Sequence, residues 1–388
     1  MAKAYRLPAK ENHHPCRVGE SIDYPFLFLL LLLLTMGLLM LWSASFPQSE
    51  YDSNYTDAGR YFRKQALCGA IGIAAMVIFS RIPAGLWYRL AWPLYGTSIV
   101  LLLSVLVIGQ EVNGAKRWIN IAGIQFQPSE VAKFAQILLF ARLTRHFGPE
   151  AKTFRFGVMG FGLALLGILI PLALEKHLSA IMLMGMVAVV MMFVAGTRMK
   201  WLLAGAVAAV IFVIIYISFM GYAGDRVTAW LHPERDPGDT GYQILQSLYA
   251  IGSGGLFGLG WGKSRQKYLY LPFQYNDYIF AVCCEELGLV GALGIAALFA
   301  LLIIRGYWIA LRARDRFSTV LAAGLVTLIA VQTILNLGVV TNLLPSTGIA
   351  LPFFSYGGTA LAVNLGEMGI LLSISRQQNI RKIQEVST

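Results

Sequence analysis

Ionisable and polar residues gather in three stretches of this 388-residue chain. In the first, Gln127-Pro128-Ser129-Glu130 opens an apolar run and Lys133 follows one turn later. Spaced i, i+3, Glu130 and Lys133 share a helix face and partly neutralise each other. The pair reads either as an internal salt bridge closing a helix start, with Pro128 near its first position, or as a group facing a cavity. In the second stretch, Asp277 stands where polar sequence gives way to an apolar run, preceded by Arg226, Lys263, Arg265 and Lys267. A helix dipole keeps a carboxylate charged at such a place. Asp277 is therefore either a cap, a part Asn276 could equally play, or a general base beside an anionic substrate. Glu285 and Glu286, deeper in the same run, differ by about 100° in azimuth and read as contacts between helices. The third stretch, Leu343 to Ala360, cannot be continuous helix, because Pro345, Gly348, Pro352, Gly357 and Gly358 interrupt it. Irregular backbone at membrane depth needs protein or a wet cavity around it, which Ser346, Thr347, Ser355 and Tyr356 could line. Gln332 and Asn336, i, i+4 in the run before it, suit hydrogen bonding between helices.

What positions these groups is a membrane. Hydrophobic residues make up 57% of the chain and charged ones 13%, against about 25% charged in a soluble domain. Apolar runs able to cross ~30 Å of hydrocarbon fall near 25–44, 65–82, 88–109, 128–146, 155–174, 178–196, 200–221, 278–304, 319–341 and 358–376. The expected fold is an all-α polytopic membrane protein of about ten spans. Basic residues between them, among them Arg81, Arg142, Arg198, Arg305 and Arg376, put both termini in the cytoplasm. The net charge of +11 then needs no nucleic acid. The organisation that follows is a cytoplasmic tail over 1–24, a membrane domain over 25–376 and a tail over 377–388, with the large external loop 222–277 between helices 7 and 8. Four cysteines without C-x-x-C spacing read as small buried hydrophobes. His13 and His14 fall in the cytoplasmic tail and His146, His177 and His232 are scattered, which argues against a dedicated structural metal site.

Four segments then resemble one known family, in order: "NGAKRWINIAGIQFQPSEVAK", "GYQILQSLYAIGSGGLFGLGWGKSRQKYLYLP", "NDYIFAVCCEELGLVG" and "LPSTGIALPFFSYGGTALAVNLGEMGILLSISR". They look like the signatures of the SEDS proteins (shape, elongation, division and sporulation). Gly241-Tyr242-Gln243 and Gln266-Lys267 look more like the FtsW and SpoVE branch than RodA. The resemblance implies a peptidoglycan glycosyltransferase at the outer face of the bacterial plasma membrane, at a division or spore septum. Its implied substrate is lipid II, a disaccharide-peptide on undecaprenyl diphosphate. It puts the family's essential aspartate on Asp277, turns Glu130 and Lys133 toward the catalytic cavity, and places an Arg-Trp pair on Arg117 and Trp118. Arg117, Arg226, Lys263, Arg265, Gln266, Lys267, Thr347, Ser355 and Tyr356 become candidates for binding substrate, with Lys133 near the base. A divalent cation, magnesium or manganese, is an open candidate cofactor. The implied partners are membrane lipid, a class B penicillin-binding transpeptidase and the division or sporulation machinery. Two departures stand out. The glutamate and histidine that usually precede the aspartate are missing from Pro272-Phe273-Gln274-Tyr275-Asn276-Asp277, and Glu175-Lys176-His177-Leu178 lacks the usual proline. A lipid II flippase is the rival reading, since broken helices suit a translocation path, and a non-catalytic scaffold is the third.

Gly262-Lys263-Ser264, whose lysine follows six glycines from Gly252 on, also resembles the end of a nucleotide-binding loop. Such a loop needs glycine where Phe257 stands, and Gly258 is one place off. No strand precedes it, and ATP is not available on the outer side. The expectation kept is a flexible loop whose Lys263, Arg265 and Lys267 meet a lipid diphosphate.

Overall fold

The computed structural model describes residues 21–112, 115–121, 124–205, 207, 228–235 and 241–386. Arg226 and most of the expected seventh span, 200–221, lie outside the described residues. The main helices are α1 (Tyr24–Asp52), α2 (Arg60–Phe79), α3 (Ala84–Ile108), α4 (Pro128–Phe147), α5 (Phe161–Leu174) and α6 (Leu178–Val194). They are followed by α7 (Tyr242–Gly254), α8 (Ile279–Leu311), α9 (Arg316–Val340) and α10 (Gly358–Val386). A π-helical turn, Arg155–Gly160, runs into α5. Among the described residues seven helices are long and apolar enough to span a membrane, and α6 is apolar but shorter. The chain is a mostly helical, multi-pass membrane protein.

Burial sorts the helices into an inner and an outer set. The apolar window of α9 is 83% buried and that of α10 72%, whereas those of α2, α3, α5 and α8 are each 28% buried. The outer helices turn residues such as Val100, Leu163, Ile170, Leu293 and Ile304 outward, as lipid contact requires. α4 is not apolar enough to count as a span, yet nearly all of it is buried, Glu130, Lys133 and Gln136 included. An ionisable group inside a membrane is tolerated where protein rather than lipid surrounds it, so α4 keeps its polar residues by lying inside the bundle. Pro128 opens it in the first turn and Gly148 closes it at φ 51°, as proline and glycine chemistry dictate.

One end of the bundle is tied by cations. Asp23 caps α1, accepting from the Phe26 N–H at 3.0 Å, and also receives Arg305 of α8 at 2.9 to 3.1 Å. Its own N–H donates to Ser375 of α10 at 3.2 Å. Arg142 reaches the Tyr88 carbonyl at 2.8 Å, and Arg316 donates to the Ala195 carbonyl. The opposite end carries irregular chain and an unforeseen antiparallel sheet, β1 (Gln110–Val112), β2 (Ala115–Ile121) and β3 (Ile124–Phe126) in the order β1-β2-β3. Gln110 pairs with Trp118 and Ile119 with Phe126. The sheet delivers Arg117 on β2 and leads directly into α4.

α8 starts within a residue of the expected eighth span, but it is not one unbroken helix. Its 33 residues would extend ~50 Å at 1.5 Å each, well beyond a ~30 Å hydrocarbon core. Gly288, at φ 68° and ψ −171°, breaks the helix. The chain after α7 fills the gap: Leu259 and Gly260 N–H donate to the Glu285 and Glu286 carbonyls at 3.0 Å each, and Leu289 and Val290 N–H donate to the Gly255 and Leu256 carbonyls at 2.9 and 3.1 Å. These bonds satisfy the backbone groups that the break exposes. Gly258 and Gly288 lie backbone to backbone, so a Cβ on either would enter the other strand. The glycines of this stretch allow that approach; they do not cradle a nucleotide.

Candidate functional site

Asp277 lies just ahead of α8, half-buried, on backbone fixed from several sides. Asn336 of α9 donates to the Asp277 and Ile349 carbonyls at 2.7 and 2.8 Å. Ser355 donates to the Asn276 carbonyl at 2.6 Å and accepts from the Leu351 N–H at 2.8 Å. The Tyr356 N–H bonds the Tyr275 carbonyl at 2.8 Å. Gln65 of α2 holds the other edge, donating to the Ser355 carbonyl and accepting from the Gly357 N–H, both at 3.1 Å. Tyr356 packs against Tyr61 and Tyr275, with ring centroids 5.0 and 5.8 Å apart. Ser355 and Tyr356 thus support the segment that carries the aspartate. Gly348 adopts φ +66°, and a Cβ there would stand 3.2 Å from Asp277 Oδ2. Glycine at this point supplies the left-handed backbone and leaves the carboxylate room.

Thr347, next to Gly348, is 8% exposed, and its hydroxyl has no hydrogen-bond partner among the described residues. Its carbonyl accepts from Ser179 Oγ at the start of α6. That bond joins the aspartate's surroundings to the turn between α5 and α6, where Arg117 of β2 donates to the Lys176 carbonyl at 2.5 Å. His177 is half-buried with Nδ1 fully inside. Burial, then Arg117 and Lys133, push its imidazole down to about 3, so it is neutral at pH 7. Burial pushes Glu175 up to about 8, against the pull of Arg117. Lys133 Nζ meets Glu130 Oε2 at 2.7 Å, the two side chains 6% and 10% exposed. α10 brings in Glu367, 2% exposed, whose charged neighbours are Lys133 and Glu130.

The cationic loop is a second place. Ser264 donates to Glu285 through its hydroxyl, as do the Arg265 and Gln266 N–H groups at 2.9 and 3.3 Å. Glu286 accepts from Lys267 Nζ at 2.9 Å, from Ser43 of α1 at 2.6 Å and from the Ser264 N–H at 3.3 Å. Lys267 Nζ also donates to Ser43 and to the Gly262 carbonyl at 2.9 and 2.6 Å. Lys267 is 3% exposed, so the expectation that it meets diphosphate is corrected: its ammonium is committed to Glu286 inside the protein. Glu286 makes the expected contact between span helices through Ser43 of α1, and both glutamates also bind this loop. Lys263 and Arg265 remain exposed and, with Gln266, Tyr268 and Tyr270, line an open groove of about 680 Å³. The rim carries Phe257, Trp261, Tyr268 and Tyr270 outward, the residues of a membrane interface.

Among the described residues no three His, Cys, Asp or Glu side chains converge as a metal site. Cys68, Cys283 and Cys284 are free and buried.

Fold and site together define a mostly helical, multi-pass membrane protein with buried ionisable residues among its helices. Residues 24–380 match the family described as "Cell cycle protein" (FtsW, RodA, SpoVE), and the chain belongs to that family. It is 39% identical over 359 residues, 92% of this chain and 95% of the relative, to the "Probable peptidoglycan glycosyltransferase FtsW" of Geobacter metallireducens. It is likewise 39% identical over 360 residues to the "Stage V sporulation protein E" of Bacillus subtilis, covering 92% of this chain and 97% of that one. Among solved structures it resembles a chain from a study titled "Structural coordination of polymerization and crosslinking by a peptidoglycan synthase complex". The TM-score there is 0.78 and the identity 28%, over 92% of this chain and 98% of the other.

Proposed function

We propose that the chain is a peptidoglycan glycosyltransferase that polymerises lipid II at the outer face of the plasma membrane, with Asp277 as general base. The observation that carries the assignment of the base is the bracing of Asp277. A segment with its carbonyls bound by Asn336 and Ser355, and a carboxylate set against Gly348, is an aspartate prepared to act without reorganisation. Asp277 takes the proton from the acceptor's 4-hydroxyl as that oxygen attacks the donor's anomeric carbon. The C–O bond to diphosphate breaks, and the leaving group departs on its lipid. A positioned base contributes about 10²–10⁴-fold.

Gly348 beside Asp277, the Thr347 carbonyl bonded by Ser179, and Arg117 bonded to the nearby Lys176 carbonyl support a reading in which base and cations act on one substrate. Arg117 and Lys133 meet the growing negative charge of the leaving group, while Lys263 and Arg265 receive anionic headgroups at the groove. A single-pass penicillin-binding transpeptidase is the proposed partner, and the resemblance to a chain of a peptidoglycan synthase complex supports it. Reconstituted vesicles test the activity against the flippase reading. Glycan made from outward-facing lipid II supports the enzyme, whereas lipid movement without polymer overturns it.

A further inference from the structure

Along α2 one stripe of side chains is buried: Gln65, Cys68, Gly69, Gly72 and Met76. The stripe packs on α10, where a Cβ on Gly72 would stand 3.0 Å from the Ala362 Cα. Gln65, at its head, is 0% exposed. An apolar side chain would pack there at no polar cost, whereas a buried amide must find partners. Both of its ends do. Nε2 donates to the Ser355 carbonyl and Oε1 accepts from the Gly357 N–H, at 3.1 Å each, so the amide spans Tyr356 as a neighbouring strand would. Between these two grips the Tyr356 N–H donates to the Tyr275 carbonyl at 2.8 Å, and the Ser355 hydroxyl donates to the Asn276 carbonyl at 2.6 Å. Tyr61, four residues earlier on the same helix face, sets its ring 4.8 Å from that of Tyr275 and 5.0 Å from that of Tyr356. Its hydroxyl donates to Asp52 of α1. Two side chains of α2 thus grip both the segment that carries Asp277 and the segment that supports it.

We propose that Gln65 is a positioning residue for the reaction, setting the place of Asp277 through Ser355 and Tyr356. Gln65 fixes residues 355–357 against α2, and they fix the carbonyls of Tyr275 and Asn276 immediately before the aspartate. A misplacement of about 1 Å at a reacting group can cost about 100-fold, so bonds one and two residues from the base bear on the rate. A positioning group needs a rigid mount, and the close packing of α2 on α10 supplies it. The role is geometric, and no covalent step is involved.

The inference rests on the glycosyltransferase reading for its purpose, but its test is also read without activity. Full-length protein in proteoliposomes is compared as wild type, Gln65→Met, Ser355→Ala and the double variant, by polymerisation kinetics and by amide hydrogen exchange. Methionine keeps the length of the glutamine and loses both bonds. Gln65→Met should lower kcat about 10–100-fold and leave KM nearly unchanged, because the base is displaced while the substrate contacts stay. The double variant should fall no further than the worse single variant, since both act along one path; independent effects would multiply. In Gln65→Met, residues 273–278 should exchange at least about fivefold faster, the factor for one ordinary hydrogen bond, and not only 355–357, to which Gln65 bonds directly. Gln65→Asn, which keeps the amide one methylene short, carries the same measurements if the methionine variant does not fold. A folded Gln65 variant with wild-type kcat, a double variant that multiplies the two losses, or faster exchange confined to 355–357 would overturn the proposal. Absence of glycan from wild type would instead count against the enzymatic reading, and exchange over 273–278 would still decide whether Gln65 holds the segment of Asp277.

Discussion

Lys267→Met should open the cationic loop. The substitution removes the ammonium and leaves Glu286, with 0% of its side chain exposed, inside the protein without its counter-ion. Breaking a buried pair from one side costs about 3–5 kcal/mol, roughly two to three and a half powers of ten in an opening equilibrium. Because Glu285 still binds Ser264, Arg265 and Gln266, the opening is local and the helices remain folded. Amide hydrogen exchange over 259–267 is the assay, and it should accelerate at least about 100-fold by the same arithmetic. Lys267→Met with Glu286→Gln removes the stranded charge and keeps an acceptor for Ser43 and the Ser264 N–H. Protection should return to within about 1–2 kcal/mol of wild type, and polymerisation should return with it. Exchange in the single variant within about threefold of wild type, well under the loss expected for a buried pair, would refute the lock. A double variant that regains protection while staying inactive would show Lys267 acting on substrate charge.

The same loop predicts a contrast between glycines. Gly288→Ala should prevent folding, because its Cβ would enter the Gly258 backbone, whereas Gly262→Ala meets open space and costs only about 1 kcal/mol for its positive φ; expression and thermal unfolding distinguish them. Glu175 holds its proton to about pH 8 against an ordinary 4.5. The folded chain therefore carries one proton more than the unfolded chain between those values, and stability falls as pH rises through that window, then levels above about 8. Glu175→Gln should remove that slope from unfolding curves. Lys263→Ala and Arg265→Ala should each raise KM for lipid-linked substrate, by less at high salt where screening has already weakened the contact; salt-independent losses would rule out an electrostatic role.

Much of the helical layout was readable because membrane spans advertise themselves by length. The pairing of Glu130 with Lys133 followed from i, i+3 spacing and the role of Pro128 from its place in the first turn, and both are found. What escaped depended on contacts distant in sequence. Glu285 and Glu286 read as helix contacts, which Ser43 of α1 bears out for Glu286, but both also bind a loop about twenty residues earlier. The sheet had a signal, the Asn113-Gly114 pair between alternating stretches, which is the strongest short hairpin cue. Glu367 had one as well, as a lone acid in an apolar run. No local pattern marks the break at Gly288, since a glycine within a helical run is common; the chain that packs into it decides the matter.

Asp277 carries the proposed chemistry. Purified Asp277→Asn, shown to be folded by an unchanged unfolding midpoint, is assayed for polymerisation of lipid II beside wild type. The carboxylate's proton-accepting power is lost while Asn336, Ser355 and Gly348 still hold the segment. The rate should fall about 10²–10⁴-fold. Glycan formed at the wild-type rate by the folded variant would contradict the assignment of the base.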